Sequence, residues 1–390
     1  MVLRLNQWFL TACCLALFAG PASAQTPGGK GGGATAEPSV KYTIAWLGNP
    51  FNFVDYSSGN YYPFDMNNDG HVVGRVFHPN GATRNSAFVV YSAQAGMIDV
   101  NSFPAMAEWS SQGWTAVSAD GINDSGQMAV RMEKTVNGMV IKGMFRYDPP
   151  TLTLAGQFEL IQGVGVCSGS AINNWGDIAF GSDDLGGGNC SWRLHTTEGG
   201  VSTPLIGGSP ISGTVMDLND FRQIVGTQIV GPSGSLVRYD ALDPSKSLVL
   251  GRTHSDKGGI NTKGEVAFTL AVPKGKGFDS KPTRYDGVGL QILRDTGMAT
   301  DINSEGDVCG RDGNGVALLV FPRQGGTVVV DSEVTGFQAD VNKWKSVLNF
   351  QSALINDRDS TGFGQLCGEA WVPNGNGSFR SELYLLTPTN

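Results

Sequence analysis

The stretch Asp65-Met66-Asn67-Asn68-Asp69-Gly70-His71-Val72-Val73-Gly74-Arg75-Val76 decides the fold. Asn67 closes one apolar run, the quartet Asn-Asn-Asp-Gly opens a turn, and a second apolar run leaves it. Asn and Asp side chains bond to nearby backbone and Gly accepts a positive φ, so the stretch reads as two short strands joined by a tight hairpin. The same feature recurs at Asn123, Asn173, Asn219, Asn261, Asn303 and Asn356, in steps of 56, 50, 46, 42, 42 and 53 residues. Self-similarity at this period marks an array of supersecondary units. The seven turns read NNDG, NDSG, NNWG, NDFR, NTKG, NSEG and NDRD. The fourth lacks its glycine, and the seventh carries an insertion before Gly364.

Each hairpin is followed by a third apolar segment, from AFVVY (87–91) to LYLL (383–386), and in six units by a fourth, such as GMIDV from Gly96 and GTVVV from Gly326. Four short strands in about 50 residues make the blade of a β-propeller. Seven units predict an all-β, seven-bladed propeller over residues 41–390. The seventh unit ends without a fourth strand, whereas Tyr42–Leu47 (YTIAWL) is an extra strand ahead of the first unit. Pairing of that strand with the C-terminal blade is expected to close the ring, since an open ring would leave an exposed edge.

The ends and the composition bound the setting. Residues 1–24 read as a signal peptide, with Arg4, an apolar stretch from Trp8 to Ala19, and Ala22-Ser23-Ala24 before the expected cut. Residues 25–40 are Gly/Pro-rich and read as a flexible linker. The net charge of −8 becomes −9 once Arg4 leaves, and there are no Lys/Arg runs, which argues against nucleic acid as a partner. No second apolar run reaches the roughly 20 residues of a membrane helix. Export places Cys167, Cys190, Cys309 and Cys367 in an oxidising compartment, where four thiols allow three pairings. Cys167 with Cys190 is favoured because both lie in one unit, leaving Cys309 with Cys367.

In DMNNDGHVVGRV (65–76), AFVVY (87–91) and GMIDV (96–100) the chain resembles the HAF-type extracellular repeats of exported bacterial proteins. The opening YTIAWLG and the closing LYLLTP look like the ends of such proteins, so the resemblance runs over essentially residues 41–390. It implies a secreted, propeller-like repeat protein and supplies no catalytic residues. Many members end in a membrane sorting segment, and this chain does not.

Candidate sites are sparse. Asp65 to Gly70 imitates the start of a calcium loop, but Val73 and Val76 stand where later oxygen donors are needed. No cofactor is therefore called for, with calcium as the alternative at Asp65 and Asp301. Asp65, Asp217 and Asp301 occupy one column of the repeat. They either flank turns, the favoured reading, or line an axial channel as acid/base partners. Arg-Tyr-Asp triplets at 146–148, 238–240 and 284–286 read as architecture, with Tyr between blades and the charges facing solvent. There is no nucleophile elbow, zinc-binding HExxH or P-loop, and His71, His78, His195 and His254 lack ligand spacing.

The irregular loops Asn101–Gly113, Ser182–Asn189 and Ser332–Asn349 are expected on one face, and loops on a rigid scaffold carry binding. Trp109, Trp114, Trp344 and Phe337 in or beside them are the candidate binding residues, for stacking on sugars or anchoring a protein. The functional expectation is a monomeric, non-enzymatic binding module for an envelope polysaccharide or protein, with a glycan-acting hydrolase or lyase as the alternative.

Overall fold

A computed structural model describes residues 40–47, 61–77, 85–92, 95–152, 155–183, 190–230, 233–314, 317–330, 334–335, 353–359, 361–373 and 379–389. Among these residues the chain is all-β, apart from a six-residue helix at Met106–Ser111 and two 3-10 turns. None of the described helices is long and apolar enough to cross a membrane.

The described strands follow the repeat. Unit one is an antiparallel sheet of Tyr61–Met66, Val72–Val76, Ser86–Val90 and Met97–Asp99. Unit two pairs Thr115–Ile122, Met128–Val136, Met139–Asp148 and Gln157–Gln162, and unit three begins at Val166–Ile172. Units four and five share Leu248–Ile260. Its first half pairs with Ser233–Asp240 and its second half with Val266–Lys274, so one long strand crosses from one unit to the next. Unit six runs from Gly297–Ile302 to Val328–Val329.

In unit seven, Ala353–Ile355, Leu366–Pro373 and Phe379–Thr389 are joined by Lys41–Trp46. This strand lies antiparallel to Phe379–Thr389 in the register Tyr42 to Pro388 and Trp46 to Tyr384. Its other edge meets Val334–Thr335 in parallel.

Core side chains lie between successive units. Val73, Ala87 and Val89 of unit one pack on Ala119, Met128 and Phe145 of unit two. Leu354, Cys367, Leu383 and Leu385 of unit seven pack on Tyr61, Val72 and Phe88 of unit one. Each Val, Leu, Met or Phe among them contributes about 1.5–3 kcal/mol by leaving water. The hydrophobic effect thus acts across the unit boundaries, and no sheet buries its faces alone.

The repeated asparagines supply the polar counterpart. In each hairpin the Asn backbone N–H donates to the residue at the threshold of the second strand, as Asn123 N to the Gln127 carbonyl at 3.0 Å. The Asn Oδ1 accepts that residue's N–H in return, at 2.9 Å for Gln127 and 2.6 Å for Gln365. The Nδ2 then donates to the next unit. Asn67 reaches the Asn123 carbonyl at 3.0 Å, Asn123 that of Asn173 at 2.9 Å, and Asn173 that of Asn219 at 3.2 Å. Asn219 reaches Asn261 at 2.9 Å, Asn261 reaches Asn303 at 3.1 Å, and Asn303 reaches Asn356 at 3.2 Å. Asn356 returns to the Asn68 carbonyl of unit one at 3.4 Å. Only a carboxamide offers this acceptor and these donors at this reach.

Two expectations are corrected. Cys167 and Cys190 form a disulfide, but Cys309 and Cys367 are free and buried. They occupy matching places on successive second strands, and each points onward around the array. Cys309 lies in the cluster between units six and seven, with Val320 and Tyr384, and Cys367 in the cluster between units seven and one. The sheet of unit seven stands between their clusters. The Arg of the Arg-Tyr-Asp triplets does not face solvent. Arg146, Arg238 and Arg284 donate to the turn-glycine carbonyls of the following units, Gly176, Gly264 and Gly306, at 3.5, 3.1 and 2.7 Å. The tyrosines are buried as expected.

Replacing Asn123 with Ala should cost about 3 kcal/mol in urea unfolding, because the Gln127 N–H loses its acceptor and the buried Asn173 carbonyl keeps only one of its two donors, Gly176 N. Asn123→Asp should cost nearly as much, since a carboxylate cannot donate; a near-neutral Asp variant would refute this role. Reducing Cys167–Cys190, which closes 23 residues, should lower stability by about 3 kcal/mol, with Cys309 and Cys367 reacting with thiol reagents only on unfolding.

Candidate functional site

Five first strands carry a fault within one residue of the same place. Pairing with the second strand skips one residue just before the turn in units one, two, three, four and six, between Pro63 and Asp65, Ala119 and Gly121, Ser168 and Ser170, Val215 and Asp217, and Ala299 and Asp301. A β-bulge re-aims the unpaired side chain. The skipped residues are Phe64, Asp120, Gly169, Met216 and Thr300, and all five line one cavity of about 260 Å³. In unit five a wider shift, between Thr253 and Gly258, brings Lys257 to the same wall. Arg75 and Arg131, at matching places on the second strands of units one and two, complete its cationic side.

Asp65, Asp217 and Asp301 stand directly after the bulges and line both this cavity and a second one, ringed by the turn asparagines. Each carboxylate joins two units. Asp65 accepts from Met66 N and Ile122 N at 2.8 Å each, and Asp217 from Leu218 N and Ile260 N at 2.7 Å each. Asp301 accepts from Ile302 N at 2.8 Å and Ile355 N at 3.0 Å. These residues abut the turns and border the cavity. Burial pushes Asp65 up to about 7, with the charge of Asp217 adding, against the pull of its two N–H donors. Burial also takes Asp217 to about 6 and raises Asp301 well above the carboxylate range.

Asp120, deeper on the wall, accepts from the Ser118 hydroxyl, from Ser170 Oγ at 3.1 Å and from Arg131 Nη2 at 3.4 Å. Lys257 Nζ stands 4.9 Å from the centre of the Phe64 ring, and the Arg75 guanidinium lies 5.5 Å from the same ring and 5.2 Å from that of Tyr62. Arg75 Nε is buried with no hydrogen-bond acceptor. Among the described residues no group of three His, Cys, Asp or Glu side chains is disposed to hold a metal ion.

The expected binding aromatics fall elsewhere. Trp114 is buried, and Trp109 is half-buried beneath the Asn101–Gly113 loop. Both meet Phe145 edge-on, with ring centres 5.1 and 4.9 Å away, so they pack the loop onto unit two. Trp344 and Phe337 lie outside the described residues, as do 184–189 of the second loop. Among the described residues the most exposed Trp and Phe rings are Trp175 and Phe221, 67% and 57% accessible, ahead of Phe77 and Phe278. They occupy the third position of successive turns, NNWG and NDFR, and Trp175 Nε1 donates to the Asp220 carbonyl at 3.2 Å. A polar belt runs beside them, with Asn174 N and Nδ2 donating to Asp220, and Asp124 N to Asn174 Oδ1. An aromatic in a turn position that is otherwise Asp, Ser, Lys, Glu or Arg is the signal that sequence reasoning passed over.

No family model and no curated protein matches this chain. Among solved structures it is similar to the β-propeller domain of the Trilobed protease from Pyrococcus furiosus, at 11% identity and TM-score 0.50 over 87% of this chain and 96% of that one. It also matches TolB from Acinetobacter baumannii at 15% identity and TM-score 0.41, over 83% of this chain and 65% of that chain, so it spans less than two thirds of the TolB length. A third match is virginiamycin B lyase from Staphylococcus aureus, at 10% identity and TM-score 0.41 over 89% and 99%. The first of these, with the sheets described above, makes the fold propeller-like.

The raised carboxylates set a pH dependence. Folding takes up protons that the unfolded chain has released above the ordinary carboxylate value of 3.8, so this contribution to stability is present in acid and lost as pH rises through about 6 to 7. The urea midpoint should be higher at pH 5 than at pH 8, and Asp217→Asn should shrink the difference. A midpoint that rises with pH would overturn the assignment.

Proposed function

We propose that this chain is an exported, seven-bladed propeller, closed by the strand Lys41–Trp46, that acts as a monomeric binding module for an extracellular polysaccharide. The observation that carries the reading is the pair of exposed rings, Trp175 and Phe221, on neighbouring turns. Flat aromatic rings beside amide and carboxylate side chains suit sugars, whose C–H faces stack while their hydroxyls take hydrogen bonds. Support for seven blades comes from the asparagine bonds that pass through seven turns and return to unit one, and from the pairing of Lys41–Trp46 with Phe379–Thr389. Export rests on the signal-like residues 1–24 and fits the Cys167–Cys190 disulfide. The HAF-type resemblance agrees with both.

Binding is favoured over hydrolysis or elimination because Asp65, Asp120, Asp217 and Asp301 each spend their oxygens on protein donors. A general acid or base needs an oxygen within reach of substrate. Affinity electrophoresis in gels containing acidic and neutral polysaccharides tests the reading. Retardation of the wild type should be lost in Trp175→Ala/Phe221→Ala with an unchanged melting temperature. Equal retardation of that variant, retardation only by an envelope protein, or release of shortened glycan would overturn it.

A further inference from the structure

We propose that the axial cavity is a second, separate binding site, for a small solute bearing a carboxylate, sulfate or phosphate group, with Arg75 as its anchor. The cavity is built for a ligand by the repeat itself. Bulges at one register in four first strands, and one residue earlier in that of unit three, turn their extra residues toward it, and the shift in unit five adds Lys257. Its volume, about 260 Å³, lies below the roughly 300 Å³ at which drug-sized pockets begin, which suits a small solute.

Three cations converge there and two of them share one aromatic ring. Arg75 and Lys257 both lie against Phe64, and Arg75 is also held by Tyr62, so its guanidinium is fixed in place without an ion pair. Its Nε is buried and, like those of Arg146, Arg238, Arg252 and Arg284, has no hydrogen-bond acceptor; of these five arginines Arg75 lines the cavity. Arg131 is turned toward Asp120, whose carboxylate is already shared with two serine hydroxyls. The remaining wall carboxylates, Asp65, Asp217 and Asp301, are bound at both oxygens by backbone N–H groups of two units each. None of them therefore takes the place of an anion at Arg75. A guanidinium stacked on aromatic rings at a cavity wall recognises planar or tetrahedral oxyanions through paired N–H donors.

The test is the melting temperature of the purified chain at pH 6 and fixed ionic strength, with low millimolar inorganic phosphate, sulfate, galacturonate or, as neutral control, galactose. At these concentrations the general stabilisation by sulfate and phosphate is small. All three anions should raise the midpoint in a saturable manner, and galactose should not. Arg75→Gln and Lys257→Gln should each weaken the apparent affinity about tenfold, while Trp175→Ala/Phe221→Ala should keep the full response. Should Arg75→Gln fail to fold, Lys257→Gln alone decides. No response to any anion, or an undiminished response in the folded Arg75→Gln and Lys257→Gln variants, would overturn the proposal and leave the polysaccharide reading of the turn face standing.

Discussion

The side-chain amide of the repeated asparagine is the constraint on which the structure depends. It satisfies its own hairpin through Oδ1 and donates through Nδ2 to the carbonyl of the next turn. All seven asparagines are buried or nearly so, where a missing partner costs the whole desolvation of the group. Intra-unit and inter-unit order are therefore coupled in one residue: a turn that opens would strand the donor of the unit before it.

Around this residue the columns of the repeat become intelligible. The residue at the threshold of each second strand is His71, Gln127, Asp177, Gln223, Glu265, Asp307 or Gln365, an acceptor every time, and it takes the other Nδ2 hydrogen, as Gln127 Oε1 does at 2.8 Å. Where that acceptor is long, the following unit has glycine at the end of its turn. A Cβ on Gly264 would come within 2.6 Å of Gln223 Oε1, and the residue also has φ +74°. Where the acceptor is the shorter Asp177, the following turn carries Arg222 instead, at φ 56° and bonded to Asp177 at 2.8 Å. The left-handed strain of about 1–2 kcal/mol is offset by that ion pair with a fully buried carboxylate. Arg358 meets Asp307 in the same way at 2.7 Å. The two turns that look degenerate in sequence are thus compensated across a unit boundary.

The candidate sites were legible to different depths. The columns containing Asp65, Asp217 and Asp301 were visible, and their closeness to the turns followed from spacing alone. That the same carboxylates cross to Ile122, Ile260 and Ile355 was not, because the partners stand 57, 43 and 54 residues away. Trp109 and Trp114 lie in or beside a long loop, yet that loop brings its own helix and folds both rings onto Phe145. Long loops near a core recruit aromatics for packing first. Arg75 and Arg131 sat in plain view inside apolar strands, but their meaning needed the bulges, which leave no mark in composition.

By itself the sequence determined the all-β class, the repeat period, the strand count per unit and the Cys167–Cys190 pair, since these rest on local alternation, turn chemistry and short separations. The tertiary structure alone decided which side chains reach the cavity, why Cys309 and Cys367 stay apart, and where aromatic rings remain exposed. Those outcomes depend on a one-residue slip in strand register and on which neighbour each sheet faces. Neither is encoded in any single unit, because each arises only when one unit packs against the next.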